Sequence, residues 1–467
     1  MQAFSLVIDG RAVATADHDP VINPALGEPF AQAPRATSAH VDEAMAAAAR
    51  AYTTWRTDEA LRRAKLLECA ARLKERAQAI GEVLSMEQGK PIKQATGELY
   101  GAASWLKFFA NFETKPETLL DDEKKHVTVV RKPLGVVAAI TPWNLPVLLL
   151  AWKLAPALLA GNTVVAKPSP YTPLSSLMFA DALRDVLPAG VLNVLSGGND
   201  LGAEVVAHPT VRKVSFTGSI GTGKKIMAAA AVDLKRVTLE LGGNDPAIVL
   251  DDVDPKKIVE DLFWGAFWNS GQVCAAIKRL YVHEKVYAPI VEGLAARAKA
   301  AKVGDGMAAE TEIGPINNDM QITKLVALVE DAKKNGAKIE AGGERLARPG
   351  YFYPPTIVTG ASDGTRLVDE EQFGTALPIL PYASLDDALE RANRTHFGLG
   401  ASVWTSDVAR GEAIVREIDS GTGWVNQHVD ITPLTPFGGA KWSGIGVENG
   451  RYGYEEFTRV MTVNAKK

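Results

Sequence analysis

Two periodicities divide the chain. From about Val41 to Glu87, apolar positions recur at helical spacing among Ala, Leu, Arg and Glu, which predicts two or three helices packed at the surface. From Leu134 onward, short apolar runs alternate with helical stretches. Leu134–Ile140 is a continuous apolar run of the kind a buried parallel strand requires, and Thr163–Ala166, Val191–Leu195, Lys213–Phe216 and Arg236–Leu239 read as further strands. Helices are predicted at Val147–Leu159, Leu174–Val186, Leu201–Ala207 and Gly223–Ala231, the first stopped by Gly161-Asn162. After Gly243 the pattern restarts. Ala247–Leu250, Arg279–His283, Ile357–Thr359, Pro378–Tyr382, Ser402–Trp404 and Thr422–Val425 read as strands. Helices near Lys256–Trp268, Val286–Ala301, Gln321–Asn335, Leu385–Asn393 and Val408–Glu417 separate many of them. Strands alternating with helices give mostly parallel sheets covered on both faces, so the chain reads as an α/β protein with two doubly wound parallel-sheet domains. Lys124–Arg131 alternates charged and β-branched residues, the pattern of an exposed hairpin or an intersubunit arm.

Composition adds exclusions. A chain of 467 residues with 46% hydrophobic and 23% charged residues has the balance of a soluble protein of two or three domains. A net charge of −4 gives no general attraction to nucleic acid or anionic membrane. The most apolar region, Leu134 to Ala166, is broken by Pro142, Asn144, Pro146, Lys153 and Pro156, short of the ~20 residues a membrane helix needs. The start, Met1 to Asp9, lacks the basic and apolar regions of a signal peptide. Two cysteines exclude a disulfide framework and favour a reducing compartment, so a cytoplasmic protein is expected. The seven histidines show no metal-ligand spacing and there is no cysteine cluster, so no catalytic metal is expected.

Candidate chemistry centres on Cys274, in the polar, glycine-bearing stretch Asn269-Ser270-Gly271-Gln272-Val273-Cys274, and on Glu240, in Glu240-Leu241-Gly242-Gly243-Asn244. A thiol and a carboxylate, each on flexible backbone, suggest covalent catalysis at a carbonyl. The plainer alternative for Cys274 is a small buried hydrophobe, the reading adopted for Cys69 in its apolar helix. Asn144 follows a buried strand between Pro142 and Pro146, where a fixed amide donor would suit a developing oxyanion or merely satisfy the loop. Phe216 to Gly223 is a glycine-rich strand-to-helix turn fit for phosphate oxygens, although its spacing is neither the usual dinucleotide fingerprint nor a Walker motif. Lys167 at a strand end and Glu371 beside Phe373 and Gly374 are suited to a ribose or to plain solvation. Pro436 to Gly446 is glycine-rich, as a ligand approach or a loop would be.

In chain order these motifs resemble the aldehyde dehydrogenase superfamily, of the NAD(P)-dependent hydrolytic type. They are Pro142-Trp143-Asn144, Lys167-Pro168-Ser169, Phe216-Thr217-Gly218-Ser219, Glu240-Leu241-Gly242-Gly243, Gly271-Gln272-x-Cys274, Glu371-x-Phe373-Gly374 and Pro436-Phe437-Gly438-Gly439. The resemblance implies a Rossmann-like cofactor domain (1–116 and 133–241), a catalytic domain (242–442) and a small β oligomerisation element (117–132 and 443–467), in a homodimer or homotetramer. It implies that Cys274 attacks the aldehyde, Asn144 and the Cys274 N–H hold the oxyanion, and Glu240 activates the hydrolytic water. NAD or NADP would lie on Ile140, Thr141, Pro142, Trp143, Lys167, Ser169, Gly198, Gly202, Phe216, Thr217, Gly218, Ser219, Gly223, Leu241, Glu371 and Phe373. Pro170 stands where many NAD-preferring relatives carry a glutamate, so NAD is favoured with NADP use left open. The substrate channel would involve Leu148, Leu149, Trp152, Trp268, Val273, Ala275, Val429, Ile431 and Phe437, a largely apolar set, with His428 and Asp430 as possible polar contacts. That set suggests an apolar aliphatic or aromatic aldehyde. The rivals are a CoA-acylating dehydrogenase, against which Glu240 argues, a cofactor-free thiol hydrolase or acyltransferase, and a non-catalytic binding protein.

Overall fold

The apolar runs form two large parallel sheets in a computed structural model that describes residues 4–467. Met1–Ala3, part of the start read above as lacking a leader, lie outside the described residues. In the first sheet, five parallel strands lie in the order Leu192–Val194, Thr163–Lys167, Val136–Ile140, Val211–Thr217 and Arg236–Glu240. Val136–Ile140 and Thr163–Lys167 are buried at every position, as the apolar stretches Val136–Ile140 and Val164–Ala166 demand. The chain runs outward in one direction from Val136–Ile140, then returns to its other side with Val211–Thr217. Ligands bind beyond the strand carboxyl ends at such a reversal. The loops there are Thr141–Leu145 and Gly218–Ser219. Leu6–Ile8 and Arg11–Val13 extend one edge antiparallel. Gly444–Ile445 pairs with Leu239 and Glu240 on the other, so these two residues, placed above in the third element, join the first sheet.

The second sheet holds six parallel strands, with Lys338–Ala341 antiparallel at one edge. Alternation along its strands feeds two separate cores. Ala247, Val249, Leu280, Val282 and Ile379 pack with Phe263, Ile290 and Leu294 from the helices Pro255–Phe267 and Glu284–Ala300. Ile248, Tyr281, Leu380 and Val403 pack with Ala388, Ala392 and Ile414 from Leu385–Asn393 and Val408–Val415 on the other face. Side chains of period two on a sheet clad with helices on both faces require this division.

The N-terminal helices are Ser38–Trp55, Glu59–Gln88 and Ile92–Ala110. Asp58 caps the second through the Leu61 N–H, and Gly89 ends it in the left-handed region at φ 100°. Cys69 lies in its buried stripe with Leu66 and Leu73, and burial pushes its thiol up to about 12, which fits the packing role read for it. A small third sheet joins Glu117–Asp121, Lys125–Pro133 and the C-terminal Thr458–Lys466. The segment read as a hairpin or an arm is therefore a hairpin strand paired with the tail. Among the described residues no helix is long and apolar enough to cross a membrane.

Candidate active site

Glu240 is the last residue of the last parallel strand of the first sheet, and only Leu241–Asn244 separates it from Asp245, where the second sheet begins. Cys274 sits three residues before Ile277, the start of a second-sheet strand. The site therefore forms where the carboxyl ends of one sheet meet the amino ends of the other. One cavity of about 360 Å³ is lined by Cys274, Glu240 and Asn144 together with Pro142, Trp143, Thr217, Gly218, Ser219, Leu241, Gly242, Glu371 and Phe373.

The loop carrying Cys274 is held in an unusual shape. Asn269, Ser270 and Gly271 are consecutive left-handed residues, at φ 51°, 57° and 70°. For side-chain-bearing residues this costs roughly 1–2 kcal/mol each, so surrounding bonds must impose it. Asn269 Nδ2 donates to the Asn144 carbonyl at 3.0 Å, and Ser270 Oγ donates to the Gly314 carbonyl at 3.0 Å. The Gln272 amide donates to the Asn269 carbonyl and accepts from the Asn317 N–H at 2.8 Å. A Cβ on Gly271 would collide with the Gly374 carbonyl. Gly271→Ala is expected to lower unfolding free energy by at least about 2 kcal/mol, because it adds that clash to a positive φ. Chemical denaturation measures it, and a change within about 0.5 kcal/mol would contradict this account of the loop.

Glu240 is 2% exposed and neither carboxylate oxygen has a hydrogen-bond partner. Burial pushes it up to about 7, partly opposed by the neighbouring Cys274 thiol and the Lys153 ammonium. Cys274 is partly exposed. Its thiol is pushed well above the ordinary cysteine range by burial and by the negative charge of Glu240. Asn144 is 2% exposed, with Nδ2 donating to the Gln272 carbonyl at 2.9 Å and a second amide hydrogen to spare. The Cys274 backbone N–H makes no hydrogen bond to the described residues. Buried N–H groups are rarely left unpaired, so this one is free for a ligand oxygen.

Lys167 ends its strand 3% exposed, without a hydrogen-bond partner among the described residues. Burial brings its ammonium down to about 8, and the charge of Asp200 opposes the shift. Gly202 packs against its methylenes, a Cβ there lying 3.8 Å away. Ser169 Oγ accepts from the Tyr171 N–H. Ser219 caps the helix Ile220–Ala231 through the Thr222 N–H, and Gly223 lets that helix close on Leu241. Gly198 caps Asn199–Ala207. Glu371 accepts from the Gly243 N–H at 3.1 Å, and Phe373 meets Trp143 edge to face at 5.2 Å. Ile140, Thr141, Lys167, Ser169, Gly198, Gly202, Phe216 and Gly223 do not line the cavity that holds Cys274.

The channel residues divide. Leu149, Trp152, Ala275 and Phe437 are buried in the first core, while Leu148, Trp268 and Ile431 pack against it, and none of them lines the cavity that holds Cys274. Val273 is 3% exposed. Trp268 and Val429 line a second cavity of about 420 Å³, with Asp261, Trp264 and Gln427. His428 also lines this second cavity, and its Nδ1 has no hydrogen-bond partner among the described residues. Its side chain is fully buried, Nε2 donates to the Ala275 carbonyl at 2.8 Å, and burial pushes the imidazole down to about 3. Asp430 accepts from the Trp424 indole through its backbone carbonyl and is exposed.

The aldehyde dehydrogenase family profile matches residues 13–463. The chain belongs to the aldehyde dehydrogenase family. Rat retinaldehyde dehydrogenase 3 is 41% identical, over 98% of this chain and 90% of the relative. Beet chloroplastic betaine aldehyde dehydrogenase is 38% identical over 98% and 96%. The NAD+ complex of a Bacillus cereus aldehyde dehydrogenase superposes with a TM-score of 0.97 at 34% identity, covering 100% of this chain and 97% of that one. The chain is thus an NAD(P)-dependent oxidoreductase acting on aldehydes.

Several groups in this dehydrogenase site escaped the sequence reading. Met320, Gln321 and Lys324, on the helix Asp319–Lys334, close one side of the cleft. Gln321 Nε2 donates to the Gln372 and Phe373 carbonyls and so holds the Glu371 loop. Lys153, fully buried, donates to Thr217 Oγ1 and pairs with Glu448 close to Glu240. A lysine inside an apolar helix was the available signal. Lys90, paired with buried Glu98, donates to the Asn144 carbonyl at 2.7 Å, while Glu98 accepts from the Val147 and Leu148 N–H groups.

Proposed function

We propose that the chain oxidises an apolar aliphatic or aromatic aldehyde to its carboxylic acid by a hydrolytic, cysteine-based mechanism. One observation carries this: an unpartnered carboxylate, a cleft-facing thiol, a spare amide hydrogen and an unpaired backbone N–H share one cavity. Glu240, which titrates near neutrality, is the nearby base for the Cys274 proton. The thiolate forms a C–S bond to the aldehyde carbon, and the carbonyl electron pair moves to oxygen. Asn144 Nδ2 and the Cys274 N–H hold that oxyanion; one such donor contributes ~2.7–4 kcal/mol to a transition state. NAD(P)+, when bound, supplies the hydride acceptor that turns the thiohemiacetal into a thioester. Once Glu240 has passed the thiol proton to solvent, it takes a proton from water as the water oxygen attacks the thioester carbon, the C–S bond breaks, the acid leaves and that proton returns to the Cys274 sulfur.

The donor set fits a dinucleotide. The buried, unpartnered Lys167 suits ribose hydroxyls or a phosphate. Gly218, Ser219 and the start of their helix suit the pyrophosphate. At Gly242 a Cβ would meet the Glu371 carboxylate at 2.6 Å, leaving that carboxylate room to reach a second ribose. The homo-oligomer expectation is supported by the exposed Val460, Met461 and Val463 on the C-terminal strand. A reducing, cytoplasmic setting agrees with two free cysteines.

For the substrate, the apolar character of the proposed channel residues Leu148, Trp268 and Ile431, which like Cys274 pack against the first core, favours uncharged aldehydes, and the named substrate of the rat relative is of that kind. The beet relative's name points to a cationic aldehyde instead. In a panel with both cofactors and no CoA, kcat/KM for hexanal or benzaldehyde is expected to exceed that for succinic semialdehyde by at least about tenfold, since leaving a carboxylate unpaired in an apolar channel costs several kcal/mol. A reversed order would overturn the substrate assignment, and strict dependence on CoA would overturn the hydrolytic one.

A further inference from the structure

Five consecutive carbonyls of the catalytic loop are tied from behind by side-chain donors. Gln272 O accepts from Asn144 and Asn269, Ala275 O from His428, and Val273 O and Cys274 O from the ammonium of Lys278, at 2.6 and 2.7 Å. Lys278 also reaches Ala276 O at 3.5 Å. It is 2% exposed. Its charge faces Asp245 without a hydrogen bond, and the Phe373 ring centroid lies 5.9 Å from Nζ. Lys278 is thus a buried cation aimed at backbone rather than at a carboxylate partner.

The placement on Val273 O is the informative one. That carbonyl belongs to the same planar peptide unit as the Cys274 N–H, and in a trans peptide the two point in opposite directions. With the oxygen held toward Lys278, the N–H is directed away from it, consistent with its lack of any partner among the described residues. A charge-assisted bond to the oxygen also draws electron density along the unit and makes its N–H a stronger donor.

We infer that Lys278 is a positioning residue that orients and polarises the Val273–Cys274 peptide so that its N–H stabilises the oxyanion. The inference rests on the oxyanion role proposed above for the Cys274 N–H. It separates two reactions of one thiol. Acylation by para-nitrophenyl acetate builds charge on a carbonyl oxygen. Disulfide exchange with dithiodipyridine builds none there, and buried Cys69 is shielded from that reagent.

Lys278→Met keeps the length of the side chain and removes the charge. Its ester hydrolysis, read on the high-pH plateau, is expected to fall about tenfold, less than the 10²–10³ of deleting a donor outright. The disulfide-exchange plateau should stay within about twofold, and the NAD dissociation constant should be unchanged. Lys278→Gln, which keeps a donor without the charge, should lie between. If the methionine variant does not fold, Lys278→Gln carries the same comparison. Unchanged ester hydrolysis, or equal losses in both reactions, would overturn the inference. If Cys274→Ala hydrolyses the ester at the parent rate, the underlying mechanism fails, whatever Lys278 does.

Discussion

Cys274→Ala is expected to remove aldehyde oxidation and ester hydrolysis together, each by at least about 10,000-fold, as loss of a covalent nucleophile does. The two activities share the thiol and differ in need for NAD(P), so a common loss isolates the C–S bond as the common step. Cofactor binding provides the control. The groups proposed to hold the dinucleotide, Lys167, Ser219 and Glu371, lie on other segments, and the left-handed turn at Asn269–Gly271 is held by bonds that do not involve the sulfur. A thermal shift with NAD or NADP should match the parent, because a ligand that binds the native state alone raises apparent stability by mass action. A variant that binds cofactor and still oxidises aldehyde at more than about a hundredth of the parent rate would reject covalent catalysis at this residue.

The strand-and-helix plan of both sheets was legible because parallel strands buried on both faces carry apolar runs, as at Val136–Ile140 and Val164–Ala166. Their ends were legible for the same reason, and the polar residues at or just beyond them, Thr217, Glu240 and Asn144, do converge on one cavity. The helix Ile92–Ala110 was not read. Gly97 and Gly101 weaken its local propensity, and its order comes from packing on Glu59–Gln88 and Pro146–Ala160. The N-terminal strand pairs were missed too, since three-residue strands such as Leu6–Ile8 carry little periodicity of their own.

The finer chemistry of the site was illegible for a different reason: it depends on partners far apart in sequence. Nothing in Asn269-Ser270-Gly271 announces a left-handed turn until Asn144, Gly314 and Asn317 are brought beside it. His428 was read as a possible substrate contact because a polar residue near the channel segment invites that reading. Its ring also binds the loop carbonyl of Ala275 through Nε2, a contact far off in sequence. Lys278, four residues after Cys274, drew no reading, and only the folded backbone shows that its ammonium reaches back to Val273 and Cys274.

Glu240→Gln is expected to slow thioester hydrolysis about 100- to 1,000-fold while leaving cofactor binding intact, the range in which a positioned general base acts. Its signature lies in time and in pH. Hydride departs before water attacks, so a variant unable to deacylate should release close to one NADH per active site in a fast burst and then turn over slowly. The pH argument follows from burial. A free glutamate titrates near 4.5, while this one is held at about 7 because the charged form is desolvated. A base works in its deprotonated form. Parent kcat, where deacylation limits it, should therefore rise as pH passes through about 7 and level off above. The glutamine variant has no such group, and its residual rate should lack that inflection. Because both Glu240 oxygens are unpartnered, the substitution breaks no protein hydrogen bond, so lost activity is not a by-product of lost structure. Rapid-mixing fluorescence from about pH 5.5 to about 9, a window that brackets the Glu240 titration at about 7, supplies both readouts. Parent-like steady-state rates at every pH would remove Glu240 from the mechanism, and an unchanged inflection near 7 would assign that titration to another group.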